Sequence, residues 1–227
     1  MTRVGKRSAT RKELERATMV GAALAAWAAG GNLRSFPWRC WRDPYRVTVT
    51  EVLLQRTRAE AVGGMLQTFF EKYPSWPSLA NADPLELSAV LQPIGLHMRR
   101  SATLIDLASA FIERGSSIDE TLPGVGQYVA RAAAVSLRNA PEAMVDSNFV
   151  RIIRRVFEGP WLADYRYDTR LQAIASAIVR AGPPRHVNWA AMDVGSQVCR
   201  PVIPRCGVCP LARHCKTATS GTHRTAI

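Results

Sequence analysis

The 227-residue chain is 47% apolar and carries thirty Lys and Arg against eighteen Asp and Glu, a formal charge of +12. That length suits one sizeable domain or two small ones sharing an interface, and so basic a surface favours a polyanion such as nucleic acid as partner. No run reaches the roughly 18 apolar residues of a membrane-spanning helix, which sets aside a membrane role.

At the N-terminus Arg3, Lys6, Arg7, Arg11 and Lys12 precede an apolar stretch over 19–29, the layout of a signal peptide. Glu13 and Glu15 interrupt it, and the apolar part is mostly alanine, so the expectation is a cytoplasmic, nucleoid-associated protein with a basic tail over 1–12. The dominant hydrophobic period is helical. Helices are expected over 13–29, 44–56, 59–72, 84–91, 97–114, 127–138, 147–157, 168–181 and 186–198. Asp43 followed by Pro44 reads as an N-cap with proline at the first helical position. Val47-Thr48-Val49-Thr50 is the single short β-branched alternation, and it runs into Glu51-Val52-Leu53-Leu54. Breakers fall at Tyr73-Pro74, Asp83-Pro84, Gly115-Ser116 and Gly182-Pro183-Pro184. The fold class is all-α.

Thr48, Glu51, Gln55 and Arg58 share one face of the helix beginning at Pro44. A solvated helix face explains that stripe; so does a functional one, in which Glu51, flanked by Thr50, Val52, Leu53 and Leu54, is desolvated and poised to donate a proton. Leu122-Pro123-Gly124-Val125-Gly126-Gln127-Tyr128 lies between two predicted helices. Its glycines permit a tight turn and close backbone approach, and it feeds a helix N-terminus, where free N–H groups attract phosphate. A plain helix–helix turn has the same composition. Eighteen residues beyond Tyr128, Asp146 caps the predicted helix over 147–157. A carboxylate there is expected to stay ionised. Cys199, Cys206, Cys209 and Cys215 follow a C-x6-C-x2-C-x5-C spacing, stiffened by Pro201, Pro204 and Pro210 and surrounded by Arg200, Arg205, Arg213 and Lys216. Thiolates so spaced suit zinc and an iron–sulfur cluster alike. Cys40 is left over as a free thiol.

The cysteine spacing resembles the C-terminal loop of endonuclease III and the A:G-mismatch adenine glycosylases, and the hairpin with its downstream aspartate resembles that of the helix-hairpin-helix DNA glycosylases. The resemblance runs from about residue 20 to residue 216. It implies a [4Fe-4S] cluster on Cys199, Cys206, Cys209 and Cys215, structural and DNA-positioning rather than reacting. It implies Asp146, Glu51 and Tyr128 as catalytic residues, and Gln55, Arg56, Leu122, Gly124, Val125 and Gly126 as DNA-binding ones, Gln55 and Arg56 as wedges around a flipped nucleotide. Bifunctional members carry a lysine nucleophile where this chain has Tyr128; tyrosine cannot form an imine, so a monofunctional enzyme is expected.

Tyr128, the segment Val145-Asp146-Ser147-Asn148-Phe149-Val150-Arg151 and the segment Glu51-Val52-Leu53-Leu54-Gln55-Arg56-Thr57 lean towards the mismatch-specific thymine glycosylases. So does the end of the chain twelve residues after Cys215, where adenine enzymes typically continue into a second domain. Gln55 leans the other way. The expected activity is removal of thymine or uracil opposite guanine in double-stranded DNA by a monomer, the alternative being adenine opposite guanine or 8-oxoguanine. A DNA-binding protein without catalysis and a zinc-stabilised helical module are the rivals from other classes. The expected architecture is two helical lobes with a DNA cleft between them: a six-helix barrel over 44–150 carrying the helix-hairpin-helix, and a cluster lobe made of 13–43 and 151–227.

Overall fold

Local capping chemistry starts most of the helices where the sequence places them. In the computed structural model, which describes residues 8–115 and 117–220, α1 (Arg11–Trp27) opens on a capping box: Glu13 N–H donates to Thr10 Oγ1 at 3.3 Å and Thr10 N–H to Glu13 Oε2 at 2.8 Å. α2 (Pro44–Leu54) opens on Asp43, whose Oδ1 accepts from Arg46 N–H at 2.8 Å. α5 (Pro84–Leu91) repeats the device with Asp83 and Pro84. Between and after them lie α3 (Ala59–Lys72), α4 (Trp76–Ala80), α6 (His97–Arg114), α7 (Gln127–Arg138), α8 (Ser147–Phe157), α9 (Thr169–Arg180), α10 (Pro184–Gln197) and α11 (Lys216–Ser220). No strand occurs among the described residues; the Val47–Thr50 alternation is helical. Among the described residues no helix is long and apolar enough to cross a membrane.

Two differences from the expected elements have local causes. α4 is a five-residue helix capped reciprocally by Ser75 and Ser78, too short to show a helical period. The expected tail over 1–12 is cut short, because Thr10 caps α1 and makes Arg11 and Lys12 helical; residues 1–7 and Ser116 lie outside the described residues.

The chain divides into two units. Unit 1 takes the described residues of Met1–Arg34 and Asn139–Ile227, and unit 2 is Ser35–Arg138. The boundaries thus fall after residues 34 and 138, whereas the sequence reading put them after 43 and 150. Packing explains the shift. Trp38 belongs to the core of unit 2, with Tyr45, Leu53, Phe69, Leu87 and Leu104. Ala143, Val145 and Phe149 belong to that of unit 1, with Val20, Leu24, Ile153, Ile174 and Val194. Arg34 is pinned within unit 1, its Nε donating to the fully buried Asp193 Oδ1 at 2.8 Å and its N–H to Oδ2 at 2.9 Å.

Charge is shared unevenly. In the sequence, 1–34 and 139–227 together hold nineteen Lys and Arg against eight Asp and Glu, fifteen of the nineteen among the described residues, while 35–138 holds eleven against ten. Nearly all of the net positive charge therefore lies in the sequence stretches that make up unit 1.

Candidate active site and cysteine loop

In unit 2, the stripe on α2 is divided by burial. Thr48 is fully buried and donates to Pro44 O at 2.7 Å, whereas Gln55 and Arg58 are exposed. Glu51 is only 7% exposed, so a wholly solvated face does not describe this helix. Its Oε2 has no hydrogen-bond partner, an expensive state for a buried carboxylate. Burial pushes the Glu51 pKa up to about 7, against the positive charge of Arg39 and a hydrogen bond from Tyr128, which both hold it down. Near neutral pH this side chain is therefore poised between proton donor and anion.

Tyr128, at the second position of α7, is half-buried against the unit 2 core while its hydroxyl reaches Glu51. The turn before α7 is closed by Val125 N–H donating to Leu122 O at 3.1 Å. Leu122 and Val125 turn their side chains into the core, at 4% and 3% exposure, so of the expected DNA-binding residues these two present only backbone. Gly124 and Gly126 are exposed. Gly124 has φ +75°, and a Cβ there would lie 2.6 Å from Thr103 Cγ2; no other residue fits the turn without strain. Gln55 does not project freely, since its Nε2 donates to Gly124 O at 2.9 Å and ties the end of α2 to the hairpin.

Arg56 is exposed in the left-handed region, with φ +57°. A second exposed residue of the same kind escaped the sequence reading. Leu96, which precedes α6, has φ +52° and is 58% exposed. Gly95-Leu96 ahead of a helix reads as an ordinary boundary, and only the exposure of a large apolar side chain on a strained backbone marks it.

In unit 1, Asp146 caps α8. Its Oδ1 accepts from Phe149 N–H and its Oδ2 from Asn148 Nδ2, each at 2.8 Å. Arg151 continues the chain, donating from one guanidinium nitrogen to Asn148 Oδ1 at 2.8 Å and Gly195 O at 2.6 Å, and from Nε to Cys199 O at 2.7 Å. The sequence reading expected the helix terminus to hold Asp146 in its anionic form. Burial instead raises its pKa above the ordinary aspartate value, and the bonds from Phe149 and Asn148 with the charge of Arg151 offset only part of that.

The four clustered cysteines ring one cavity. Arg155, from α8, donates to Cys199 Sγ at 3.3 Å and holds the following loop through Arg200 O and Pro201 O, both at 2.7 Å. Cys215 Sγ lies 3.4 Å from Arg155 O. Among the described residues no three His, Cys, Asp or Glu side chains converge tightly enough to hold a single metal ion. Cys40, the leftover thiol, is exposed.

The family model for the HhH-GPD superfamily base excision DNA repair protein matches residues 49–192. The chain is 34% identical over 209 residues to the thymine/uracil-DNA glycosylase of Methanothermobacter thermautotrophicus, covering 88% of this chain and 93% of that protein. It is 31% identical over 197 residues to the adenine DNA glycosylase of Mycolicibacterium smegmatis, covering 83% of this chain and 66% of that protein. The solved structure of a thermostable thymine-DNA glycosylase superposes with a TM-score of 0.81 at 31% identity, covering 92% of this chain and 98% of that one.

Proposed function

The chain belongs to the HhH-GPD superfamily of base excision DNA repair proteins, and from that membership we propose that it hydrolyses the N-glycosidic bond of thymine or uracil mispaired with guanine in double-stranded DNA, leaving an abasic site without cutting the strand. The observation that carries this reading is Glu51: a carboxyl group held in unit 2 with one oxygen unpartnered and a pKa pushed up to about 7. A group so placed donates a proton to a departing base at neutral pH and takes one back afterwards. The glycosidic bond breaks with its electron pair going to the base, the base takes the Glu51 proton, water adds to the sugar C1′, and the proton it releases restores Glu51. Asp146, when ionised, is the anion that stabilises the oxocarbenium character of the sugar. Two carboxyl groups in different surroundings thus take different roles. Tyr128 holds Glu51 by its hydroxyl and offers no amine for an imine, which supports the absence of strand cleavage.

Cys199, Cys206, Cys209 and Cys215 would hold a [4Fe-4S] cluster. Four thiols lining one cavity supply the donor set that such a cluster needs. Its contribution would be to brace the loop that presents Arg200, Arg205, Arg213 and Lys216 to DNA phosphates, and unit 1, with its excess of basic residues, would supply most of the electrostatic attraction.

The test is an excision assay on duplexes containing G:T, G:U, A:G and A:8-oxoguanine, each product read with and without alkali. Breaks at T or U that appear only after alkali support the proposal. Breaks at adenine instead would transfer the chain to the adenine class, and breaks without alkali would overturn the monofunctional reading.

A further inference from the structure

Arg100, on the first turn of α6, is 8% exposed, yet every partner of its guanidinium is a neutral oxygen. One terminal nitrogen donates to Leu53 O at 3.0 Å; the other donates to Gln55 O at 2.8 Å and to Thr57 Oγ1 at 2.6 Å. Burying a cation without an anionic partner is costly. The negative end of the α2 dipole returns part of that cost. The Leu53 carbonyl is buried and takes its donor from the guanidinium, whereas the Gln55 carbonyl and the Thr57 hydroxyl are only part-buried. What the guanidinium adds over water is geometry: three acceptors fixed by one planar fork.

Those acceptors enclose Arg56, exposed at φ +57°. The backbone N–H of Arg100 donates to Leu96 O at 2.9 Å in the first helical bond of α6, so the same residue is bonded to another of the exposed positive-φ positions, Leu96 at φ +52°. Strained exposed backbone persists only where its surroundings over-determine it, and it gathers at functional surfaces. A cationic tip and an apolar tip together have the chemistry of a duplex wedge, one for the backbone phosphates and one for the gap between bases.

We infer that Arg100 is a positioning residue, which sets the turn bearing Arg56 against the turn bearing Leu96 so that both tips meet the duplex in the register that base extrusion requires. The inference rests on the glycosylase reading and adds to it a residue that touches neither base nor sugar. Its effect belongs to extrusion and not to bond breaking. It should therefore be felt on a paired target and vanish on a base that is already unpaired.

The experiment measures single-turnover uracil excision from a G:U duplex and from a duplex with uracil opposite an abasic-site analogue, for the wild type and for Arg100→Met, Arg100→Lys and Thr57→Val. Fluorescence of 2-aminopurine beside the uracil reports extrusion directly. Arg100→Met is expected to lose about thirtyfold or more on G:U but less than about threefold on the unpaired uracil, with the fluorescence rise lost in parallel. Arg100→Lys should recover part of that selective loss, and Thr57→Val should show a smaller loss of the same kind. Equal losses on both substrates would overturn the inference in favour of a purely structural Arg100, and so would an undiminished rate on G:U. If Arg100→Met does not fold, as judged by circular dichroism, Arg100→Lys and Thr57→Val decide by the same two criteria. A wild type that excises neither uracil removes the glycosylase reading for uracil itself, a failure seen before any variant is compared.

Discussion

Asn148 grips the catalytic candidate Asp146 by its side chain: its Nδ2 donates to Asp146 Oδ2 at 2.8 Å, while Oδ1 accepts from Phe149 N–H at 2.8 Å. The orientation of Asn148 is set in turn by Arg151, whose guanidinium donates to its Oδ1. Asp146→Asn can keep the cap bond from Phe149 N–H and removes the charge, while its amide faces Asn148 Nδ2 in place of an acceptor. It is expected to lower excision by about a thousandfold or more while leaving DNA binding within a few fold. Asn148→Ala, which leaves the charge but frees the carboxylate, should lose about tenfold to a hundredfold. Single-turnover rates beside equilibrium binding measure both; parallel loss of binding in Asp146→Asn would reduce that residue to a structural cap.

Gly195 makes this arrangement possible from the opposite helix. A Cβ on it would lie 2.5 Å from Asn148 Cβ and 3.2 Å from its Cα. Gly195→Ala should cost about 1–3 kcal/mol by overpacking, although alanine is the better helix former. It should also reduce excision beyond what the lost stability explains, because the side chain it displaces holds Asp146. Denaturant midpoints and excision rates on the same preparation separate the two effects; a more stable, fully active variant would refute the prediction.

The raised pKa of Glu51 has a definite sign in both activity and stability. As the proton donor, it should cause excision to fall as pH rises through about 7, and the acid side of the profile should report Asp146 above the ordinary aspartate value. The native state binds the Glu51 proton more tightly than the unfolded chain, whose ordinary value is 4.5. Glu51 therefore favours folding most below that value, and the contribution is lost as pH climbs through about 7. The loss is on the order of 3 kcal/mol. Glu51→Gln should erase the alkaline limb of activity. It should also gain stability on the wild type between pH 5 and pH 8, a difference that urea unfolding at the two pH values would record.

Tyr128 lowers the Glu51 pKa through its hydroxyl. Removing that bond in Tyr128→Phe should shift the alkaline limb upward, since the acid form of Glu51 then persists to higher pH. Tyr128→Lys places an amine at the same position and is expected to produce strand breaks without alkali. A pH–rate profile for the first and a denaturing gel for the second are sufficient, and breaks that still require alkali in Tyr128→Lys would weaken the assignment of this position.

Exposed Arg200 and Arg213 stand beside the cysteine loop. If each meets a phosphate, the double alanine variant should reduce the slope of log affinity against log salt by about 1.8. Binding isotherms from low to moderate salt measure it. An unchanged slope would place the DNA contacts of this unit elsewhere.

Helical periodicity, proline–aspartate starts and the cysteine spacing are local properties, and they carried most of this protein into view from sequence alone. α3, α5, α6, α7 and α8 begin and end where the pattern places them. The Leu122–Gly126 turn and Asp146 as a cap were legible for the same reason: each depends on neighbours within one or two helical turns, whereas the stripe bearing Glu51 suited a solvated face and a buried one alike until burial was known. What the sequence could not decide involves partners far apart in the chain. The unit boundaries moved because Trp38 and Val145 pack with residues tens of positions away. Leu122 and Val125 give up their side chains to the core, and Gln55 bonds the hairpin, 69 residues on. Leu96 and Arg100 carried no signal at all, since a leucine before a helix and an arginine within one are unremarkable until burial and backbone angle are known. The ionisation of Asp146 marks the same limit, for a helix terminus predicts an anion while desolvation, a sum over the whole surrounding fold, pushes the other way.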